Sequence, residues 1–402
     1  MRKYFSLLLV LSMLLSLGYY AVHAEGWGDD EQEYSFESLI NPPTAVPPPG
    51  STPGPTPEPS PTPEPVYQAD GSIEITLTAV GDVTIGRNVK HNGTSIFEKE
   101  LKKQKNDPNF IFRNVKHIFE SDDLTIANFE GVLADTYEIP SSKKNNDFLF
   151  LASPDYASVL RNNGVEAVTI ENNHIGDFGE AGVNNTIAAL ESAGVVWANK
   201  SNMAVYETQG IRIGMLAYQI VPPLRSDEMQ ADALQAQVAS DIAKAKQTCD
   251  IVTVSFHWGK ELDYSPRNES PYRQVTLGRA AIDAGADLVL GHHSHRINPI
   301  EKYNGKYIVY SLANCSFAGN NKPSDMCTFI FQCKFRIKNG EIIDNPFRII
   351  PCRISSRKDY NDFAITPYTE AENIKTVINT MTKKENTKNL EYAVTNYPLE
   401  WE

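Results

Sequence analysis

Apolar positions follow two different periods along the chain from residue 73 onward. Short apolar runs of strand length alternate with longer segments in which apolar residues recur at helical spacing. The strand-like runs cover residues 73–81, 124–133, 166–172, 211–220, 250–256 and 286–292. The helix-like segments cover residues 181–194, 231–247 and 271–285. This alternation predicts a layered α/β domain.

Two Asn-Gly pairs add antiparallel elements to this pattern. They lie within residues 302–312 and 335–350, each between two alternating apolar runs. Asn-Gly favours the tight turn of a β-hairpin. The later part of the chain is therefore predicted to add antiparallel strands, so that the sheets are mixed.

The first 24 residues have the pattern of an export signal. Arg2 and Lys3 precede an uncharged, Leu-rich stretch, and Val22 and Ala24 are small residues at the two positions that a signal peptidase recognises. We interpret residues 1–24 as the cleaved signal peptide of an extracellular, cell-surface protein. The alternative is an uncleaved membrane anchor, because an uncharged stretch of this length could just span a bilayer core of about 30 Å.

A segment without a predicted core follows. Residues 25–40 contain six acidic residues and no basic residue, and residues 41–65 contain 12 of the 25 prolines. Proline fixes a backbone torsion and removes a donor, so residues 25–69 are predicted to be an acidic, then Pro-rich disordered linker. A domain over residues 70–320 and a C-terminal β-hairpin and helical extension over residues 321–402 complete the predicted organisation.

Composition removes some classes of function. The 37 basic and 50 acidic residues give a net charge of -13, which repels phosphate backbones, so we expect no nucleic-acid partner. The hydrophobic share of 41% and the charged share of 22% are typical of a globular domain rather than a multispan membrane protein. The five cysteines form no Cys-x-x-Cys pair, and both a disulfide in the last third and buried single thiols fit their positions.

Polar residues with ligand chemistry gather where the predicted strands end. In α/β folds the loops at the carboxyl ends of the strands converge on one crevice, so this distribution predicts a single site. The residues are Asp82, Asn128, Glu130, Asn172, Asn173, His174, His257, His292, His293 and His295.

The residue types at these positions indicate a metal. Neutral imidazoles with carboxylate and amide oxygens are ligands of zinc, manganese or iron, and a sulfur-free set favours hydrolytic chemistry. A metal ion in such a set lowers the pKa of bound water to about 7 and supplies a nucleophile without a covalent intermediate. The expected cofactor is therefore one or two divalent ions of Mn, Zn or Fe.

Six motifs resemble a known family in their order and spacing. They are GDVTIGR (81–87), IANFEGVL (126–133), ENNHIGDFGEAG (171–182), SFHWGKEL (255–262), GADLVLGHHSHRI (285–297) and YSLANCSFAG (310–319). Over residues 73–320 the chain resembles the CapA-type poly-gamma-glutamate synthesis proteins, a branch of the calcineurin-like metallophosphatase superfamily. The resemblance implies a four-layer αββα sandwich with mixed sheets and a metal site above the sheet edges.

The resemblance also implies roles for individual residues. The implied metal ligands are Asp82 for the first metal, Glu130 in place of the superfamily's bridging Asp, Asn173 and His257 for the second metal, and His293 and His295 for the two metals between them. His174 would donate a proton to the leaving group, and Asp177 would orient His174.

The sequence departs from the family pattern at several of these places. Superfamily phosphatases have a histidine two residues after the first Asp, where this chain has Thr84, and Glu130 adds one methylene at the bridge. Ala313 replaces a glycine of the usual Ser-Leu-Gly-Asn-Phe run and adopts a positive backbone torsion less freely. Either His292 or His293 could be the first histidine ligand; we favour His293 because it keeps the His-x-His spacing to His295.

These features predict an exported, metal-dependent hydrolase of metallophosphoesterase type that acts in capsule or poly-gamma-glutamate synthesis. Its expected partners are an anionic cell-envelope polymer or its precursor and a membrane-bound polymer synthase. The alternative is a non-catalytic accessory protein that binds the polymer or helps to export it, which the departures at Thr84 and Glu130 favour.

Overall fold

The computed structural model describes residues 64–90, 95–221 and 228–401. The predicted signal peptide and nearly all of the predicted linker lie outside these residues. Within the described part, none of the helices has both the length and the apolar character needed to cross a bilayer.

Eighteen strands and eight α-helices make up the described part of the chain. The strands are β1 (Ile73–Thr84), β2 (Arg87–Asn88), β3 (Leu124–Phe129), β4 (Val132–Leu133), β5 (Phe150–Ala152), β6 (Ala167–Thr169), β7 (Val196–Ala198), β8 (Ala204–Thr208), β9 (Ile211–Ile220), β10 (Ile251–Trp258), β11 (Leu288–His292), β12 (Ile300–Tyr303), β13 (Lys306–Val309), β14 (Asn314–Phe317), β15 (Cys327–Lys338), β16 (Glu341–Asp344), β17 (Phe347–Arg353) and β18 (Thr366–Pro367). The helices are α1 (Ile96–Lys103), α2 (Lys116–Phe119), α3 (Ala157–Arg161), α4 (Gly179–Ser192), α5 (Glu228–Ala245), α6 (Gln274–Asp283), α7 (Ala371–Thr382) and α8 (Lys384–Thr387).

The strands form two large sheets and a small one. The first large sheet has the order β18-β17-β15-β1-β3-β6-β7, with β14 beside β1 and β16 beside β15. The second has the order β12-β13-β11-β10-β9-β8, and a three-stranded sheet has the order β2-β5-β4. In the first sheet β1, β3, β6 and β7 are parallel and β15 is antiparallel to β1. In the second sheet β9, β10, β11 and β13 are parallel, with antiparallel strands at both edges.

Alternation along the strands sorts the apolar side chains into three buried layers. One layer lies between the two sheets and includes Leu77, Leu124, Met215, Ile251 and Leu290. A second layer packs helices against the outer face of the first sheet, and a third packs α5 and α6 against the outer face of the second sheet. The resulting order of helix, sheet, sheet and helix confirms the predicted four-layer αββα sandwich with mixed sheets.

Both predicted Asn-Gly hairpins are present. Asn304-Gly305 joins β12 to β13, and Asn339-Gly340 joins β15 to β16. All four turn residues have positive φ, which matches the type of turn that favours Asn-Gly. Strand β15 pairs with β1 from Ile73↔Ile337 to Ala79↔Phe331, so the chain after residue 320 supplies a strand next to β1.

The five cysteines all lie within the described residues, and each has a free thiol. Four of them are buried. Burial raises the pKa of the Cys315, Cys333 and Cys352 thiols, which keeps these side chains protonated and apolar. Of the two arrangements that fit the sequence, the structure therefore has single thiols.

Ala313 has a backbone conformation that glycine adopts more easily. Its φ is +61°, and its carbonyl accepts a hydrogen bond of 2.9 Å from the Asp82 N–H. A Cβ added to Gly81 would lie 1.9 Å from the same carbonyl oxygen. The close approach of β1 to the 311–314 segment therefore holds Ala313 in the left-handed region, at a cost in stability.

Substituting Ala313→Gly should raise the free energy of unfolding by about 0.5–1 kcal/mol, because relief of backbone strain exceeds the added entropy of the unfolded chain. Urea denaturation measures the change. Ala318→Gly is the matched control, since Ala318 is buried nearby without a positive φ and should lose stability. Equal losses in both variants would contradict the strain at Ala313.

Asp122 lies at the opposite end of β3 from Glu130, and we expect it to make the free energy of unfolding depend on pH. Its carboxylate is half-buried and accepts a 2.6 Å hydrogen bond from Thr125 Oγ1. Burial raises the pKa of Asp122 to about 8, and the charges of Glu166 and Asp123 add to this shift. The unfolded chain releases this proton near the ordinary value of 3.8, so the free energy of unfolding falls as the pH rises from about 4 to about 8.

Asp122→Asn should flatten this dependence and raise the free energy of unfolding at pH 8 by roughly 1–3 kcal/mol, because the amide has no charge to bury. Denaturation at pH 5 and pH 8 gives the comparison. Asp123→Asn is the control: its carboxylate accepts hydrogen bonds from Thr76 N and Gln209 Nε2, so no gain is expected. Parallel pH curves for Asp122→Asn and the wild type would show that Asp122 does not cause the dependence.

Candidate metal centre

The carboxyl ends of the parallel strands of both sheets meet at one pole of the sandwich. Asp82 lies near the end of β1, and Asn128 and Glu130 lie at and just after the end of β3. The turn 171–178 follows β6 and carries Asn173, His174 and Asp177. Strands β10 and β11 of the second sheet end with the segments that carry His257, His292, His293 and His295. The six predicted metal ligands therefore lie in one connected group, and their role as ligands stays a prediction.

The first half of the centre consists of Asp82, Glu130 and His295. One ligand atom from each lies within 4.8 Å of the other two. His295 Nδ1 is 3.1 Å from Asp82 Oδ2 and 3.9 Å from Glu130 Oε2. His295 Nδ1 also lies 3.1 Å from Asn314 Oδ1. All these side chains come from different segments, so only the packed fold assembles the group.

The second half consists of Asn173, His257 and His293. His257 Nε2 lies 2.7 Å from Asn173 Oδ1 and 3.1 Å from His293 Nδ1. It also lies 3.6 Å from Glu130 Oε1, so Glu130 contacts both halves through its two oxygens. Burial and the charge of His293 lower the pKa of His257 well below its ordinary value. Burial and the charge of His295 lower the pKa of His293 to about 3. Both rings are therefore neutral, the form that binds metals.

The two carboxylates of the centre ionise differently. Burial, followed by the charge of Asp82, raises the pKa of Glu130 to about 7. Burial also raises the pKa of Asp82. The imidazoles of His292 and His295 outweigh burial and hold the pKa of Asp82 well below its ordinary range. Burial lowers the pKa of His295, and Glu130 and Asp82 outweigh it and raise the value to about 9. A protonated His295 thus supplies positive charge between the carboxylates, as a divalent cation would.

Backbone strain accompanies the histidine segment. His293 has a φ of +87° and His295 a φ of +53°, and neither is glycine. The His293 N–H donates to Asp82 Oδ2 at 3.2 Å. Such conformations persist where the surrounding structure determines them, and they are common at functional sites. Here they direct neighbouring histidines to different parts of the centre.

His174 and Asp177 form a pair beside the second half of the centre. His174 Nδ1 lies 2.8 Å from Asp177 Oδ2, and Asp177 is fully buried. Asp177 Oδ2 also accepts the Phe150 N–H at 3.1 Å, and the Phe150 and His174 rings lie 4.7 Å apart. The carboxylate thus fixes the imidazole by one nitrogen, in the geometry predicted for an orienting Asp.

Two further residues contact the centre: Asn128, which was expected at the site without an assigned role, and Lys143, which was not expected there. Asn128 Nδ2 donates to Asp82 Oδ1 at 2.8 Å and lies 3.3 Å from His257 Nδ1, so it links the two sheets. Its position at a strand end was the available signal. Lys143 Nζ donates to Asp177 Oδ1 at 3.0 Å and to the Asn173 carbonyl at 2.8 Å, and no motif marked it.

His292 and His293 both lie at the pole, and the choice of His293 as the ligand stays a prediction. His293 Nδ1 lies 3.1 Å from His257 Nε2. His292 is also buried, and its Nδ1 lies 3.4 Å from Asp82 Oδ1. Each histidine therefore faces a different half of the centre.

The donor set fits a divalent cation. Both Glu130 oxygens and both His292 nitrogens are buried without a hydrogen-bond partner among the described residues. Buried polar atoms are nearly always paired, so such atoms indicate a missing partner. Nitrogen and oxygen donors surround a cation at about 2.0–2.2 Å, which places neighbouring donors roughly 3–3.4 Å apart. The donors here are N and O only, as in zinc, manganese and iron sites.

Comparison with known proteins identifies the family. The family described as "Bacterial capsule synthesis protein PGA_cap" matches residues 76–318, more than half of the chain. The "PGA biosynthesis protein CapA" of Bacillus subtilis (strain 168) is 30% identical over 280 residues, which cover 66% of this chain and 69% of that protein. The "Capsule biosynthesis protein CapA" of Bacillus anthracis is 29% identical over 262 residues, which cover 61% of this chain and 60% of that protein.

A further relative carries a different description. The "Probable polyglutamine synthesis accessory protein" of Mycobacterium tuberculosis (strain ATCC 25618 / H37Rv) is 29% identical over 215 residues, which cover 48% of this chain and 55% of that protein. The matches thus span between about half and two thirds of these relatives. The resemblance of the six motifs is confirmed, and the chain belongs to the bacterial capsule synthesis protein family PGA_cap.

Proposed function

We propose that this protein is an exported, cell-surface member of its family that binds one or two divalent cations and hydrolyses a bond in an anionic cell-envelope polymer or its phosphorylated precursor. The observation that carries the proposal is the convergence of acidic, amide and imidazole donors from both sheets around Glu130, whose two oxygens have no hydrogen-bond partner among the described residues. The descriptions of the two Bacillus relatives support a role in capsule polymer synthesis.

Two groups of residues would each bind one cation. Asp82, Glu130 and His295 would hold one cation, and Asn173, His257 and His293 would hold a second, with Glu130 between them. A bound cation supplies a polarised substrate oxygen and an activated water. The same positive charge gives an otherwise acidic protein a place to attract an anionic substrate.

His174 would transfer a proton to the leaving group. Asp177 holds its Nδ1 at 2.8 Å, which leaves Nε2 as the nitrogen available to substrate. Lys143 lies 3.0 Å from the other Asp177 oxygen and balances its buried charge. The turn that carries His174 also carries Asn173, so acid and metal ligand are placed by one short segment.

A second candidate is an accessory protein that binds the polymer or assists its export without cleaving it. Thr84 gives the Asp82 half no nitrogen where superfamily enzymes have a histidine, and Glu130 is longer than their Asp. The description of the Mycobacterium tuberculosis relative as an accessory protein favours this candidate. The two candidates share the cation centre and differ in the need for His174.

Cation binding should stabilise the protein. At one hundred times its dissociation constant, Mn²⁺ or Zn²⁺ should raise the free energy of unfolding by about 2.7 kcal/mol, and EDTA should reverse the gain. Glu130→Gln keeps the side-chain size but removes the charge, so most of the gain should disappear. Thermal unfolding with and without metal measures both effects.

Glu207→Gln is the matched control for this experiment, because Glu207 is an exposed carboxylate on the edge strand β8 and should leave the gain intact. Absence of any metal-dependent shift in the wild type would end the proposal of a cation centre. An equal gain in Glu130→Gln would remove Glu130 from that centre.

His174→Ala should lower kcat about 10²- to 10⁴-fold with little change in metal stabilisation, because the imidazole acts on the leaving group. Hydrolysis of phosphodiester and gamma-glutamyl amide substrates by the purified protein gives kcat. His117→Ala is the control, since His117 is exposed on α2.

Polymer production in cells separates the two candidates. The hydrolase requires His174→Ala to abolish production, whereas the accessory protein retains both production and polymer binding. A metal-loaded wild-type protein without activity on either substrate class would also favour the accessory protein.

A further inference from the structure

His292 is the last residue of β11, and its imidazole is buried. The predicted set of metal ligands and catalytic residues does not include it. His292 is 1% exposed, and neither ring nitrogen has a hydrogen-bond partner among the described residues. Leu288 and Leu290, at alternate positions before it on β11, belong to the apolar layer between the sheets. A leucine at position 292 would continue that layer without burying two polar nitrogens. A purely structural role therefore explains the histidine poorly.

The surroundings of His292 place it on one side of Asp82. His292 Nδ1 lies 3.4 Å from Asp82 Oδ1, while His295 Nδ1 lies 3.1 Å from the other oxygen, Oδ2. Asp82 thus stands between two imidazoles. Thr84, two residues further along β1, also has a buried hydroxyl without a partner among the described residues. Unpaired polar atoms therefore occur together around the Asp82 half of the centre.

The distance between His292 and Asp82 suits two ligands of one cation. At 3.4 Å the pair lacks hydrogen-bonding geometry. Two donors that bind one ion at about 2.0–2.2 Å in tetrahedral geometry lie roughly 3.4 Å apart. One ligand atom each of Asp82, Glu130 and His295 already forms a compact group, and His292 approaches that group through Asp82.

We infer that His292 is a direct ligand of the cation held by Asp82 and completes the ligand set that Thr84 leaves one nitrogen short. The inference rests on the proposed cation centre. In this inference the two consecutive histidines bind in different halves of the centre. His292 binds the cation in the Asp82 half, and His293 belongs to the half that contains His257. The extra histidine in the segment thereby replaces a ligand missing from β1.

The test compares His292→Leu with the wild type in the full-length protein, using Mn²⁺ as the probe. In EDTA the thermal midpoint of His292→Leu should equal or exceed that of the wild type, because two unpaired buried nitrogens are removed. Calorimetry should show Mn²⁺ affinity at least 10-fold weaker at one site. Pulsed EPR of bound Mn²⁺ should show one fewer directly coordinated nitrogen.

Two further variants sharpen the comparison. His117→Leu removes an exposed histidine of α2 and should change neither Mn²⁺ affinity nor the nitrogen count. The double variant His292→Leu with Thr84→His offers an imidazole from β1 on the other side of the same Asp82. Recovery of affinity in the double variant would show that the lost group was a ligand rather than a packing contact.

The outcomes separate this inference from the proposed function. A wild type that binds no Mn²⁺ overturns the cation centre itself. Unchanged affinity and nitrogen count in His292→Leu overturn the role of His292 while the centre stands. Weaker binding with an unchanged nitrogen count makes His292 a positioning residue of Asp82 and overturns direct ligation. A lower thermal midpoint in EDTA assigns His292 a structural role and also overturns it.

Discussion

Two carboxylates buried side by side need positive charge between them, and the pole of this protein is organised around that requirement. Asp82 lies on β1 and Glu130 directly follows the adjacent parallel strand β3, and both lie almost entirely out of solvent. In the low dielectric of the interior their repulsion and desolvation would oppose folding without a counter-charge. His295, raised in pKa by both carboxylates, provides that charge in the absence of an ion. The same grouping of two carboxylates and an imidazole could hold a divalent cation.

The sandwich makes this crowding possible. Parallel strands in each sheet end at the same pole, so one sheet supplies Asp82, Asn128 and Glu130 while the other supplies the histidines. Asn128 joins them because its amide contacts Asp82 in its own sheet and His257 across the interface. Strain is stored at the same place, in the positive φ of His293, His295 and Ala313. The strained backbone at these residues reduces stability locally and brings the donors close to one another. The apolar layers on both faces of each sheet stabilise the fold.

Periodicity predicted the order of strands and helices because the buried strands β3, β10 and β11 are short continuous apolar runs, whereas the helices repeat apolar residues at helical spacing. It was less successful at boundaries: the run 124–133 is two strands, β3 and β4, separated by Glu130 and Gly131, and the run 166–172 contains only the three residues of β6. A single polar residue such as Glu130 within an apolar run does not interrupt the pattern of hydrophobicity, although it interrupts strand pairing. The family resemblance supplied the layer order, which composition and periodicity alone left open.

The sequence by itself determined the local features of this protein: the alternation of elements, the two Asn-Gly hairpins and the presence of N and O donors at strand ends. Each of these depends on residues close together in the chain. Only the tertiary structure decided that Lys143 contacts Asp177, that Asn128 links the sheets and that the His292 ring nitrogens have no hydrogen-bond partner among the described residues. These facts depend on side chains from distant segments meeting after the layers pack, and pairing between distant segments has no signal in the spacing of one sequence.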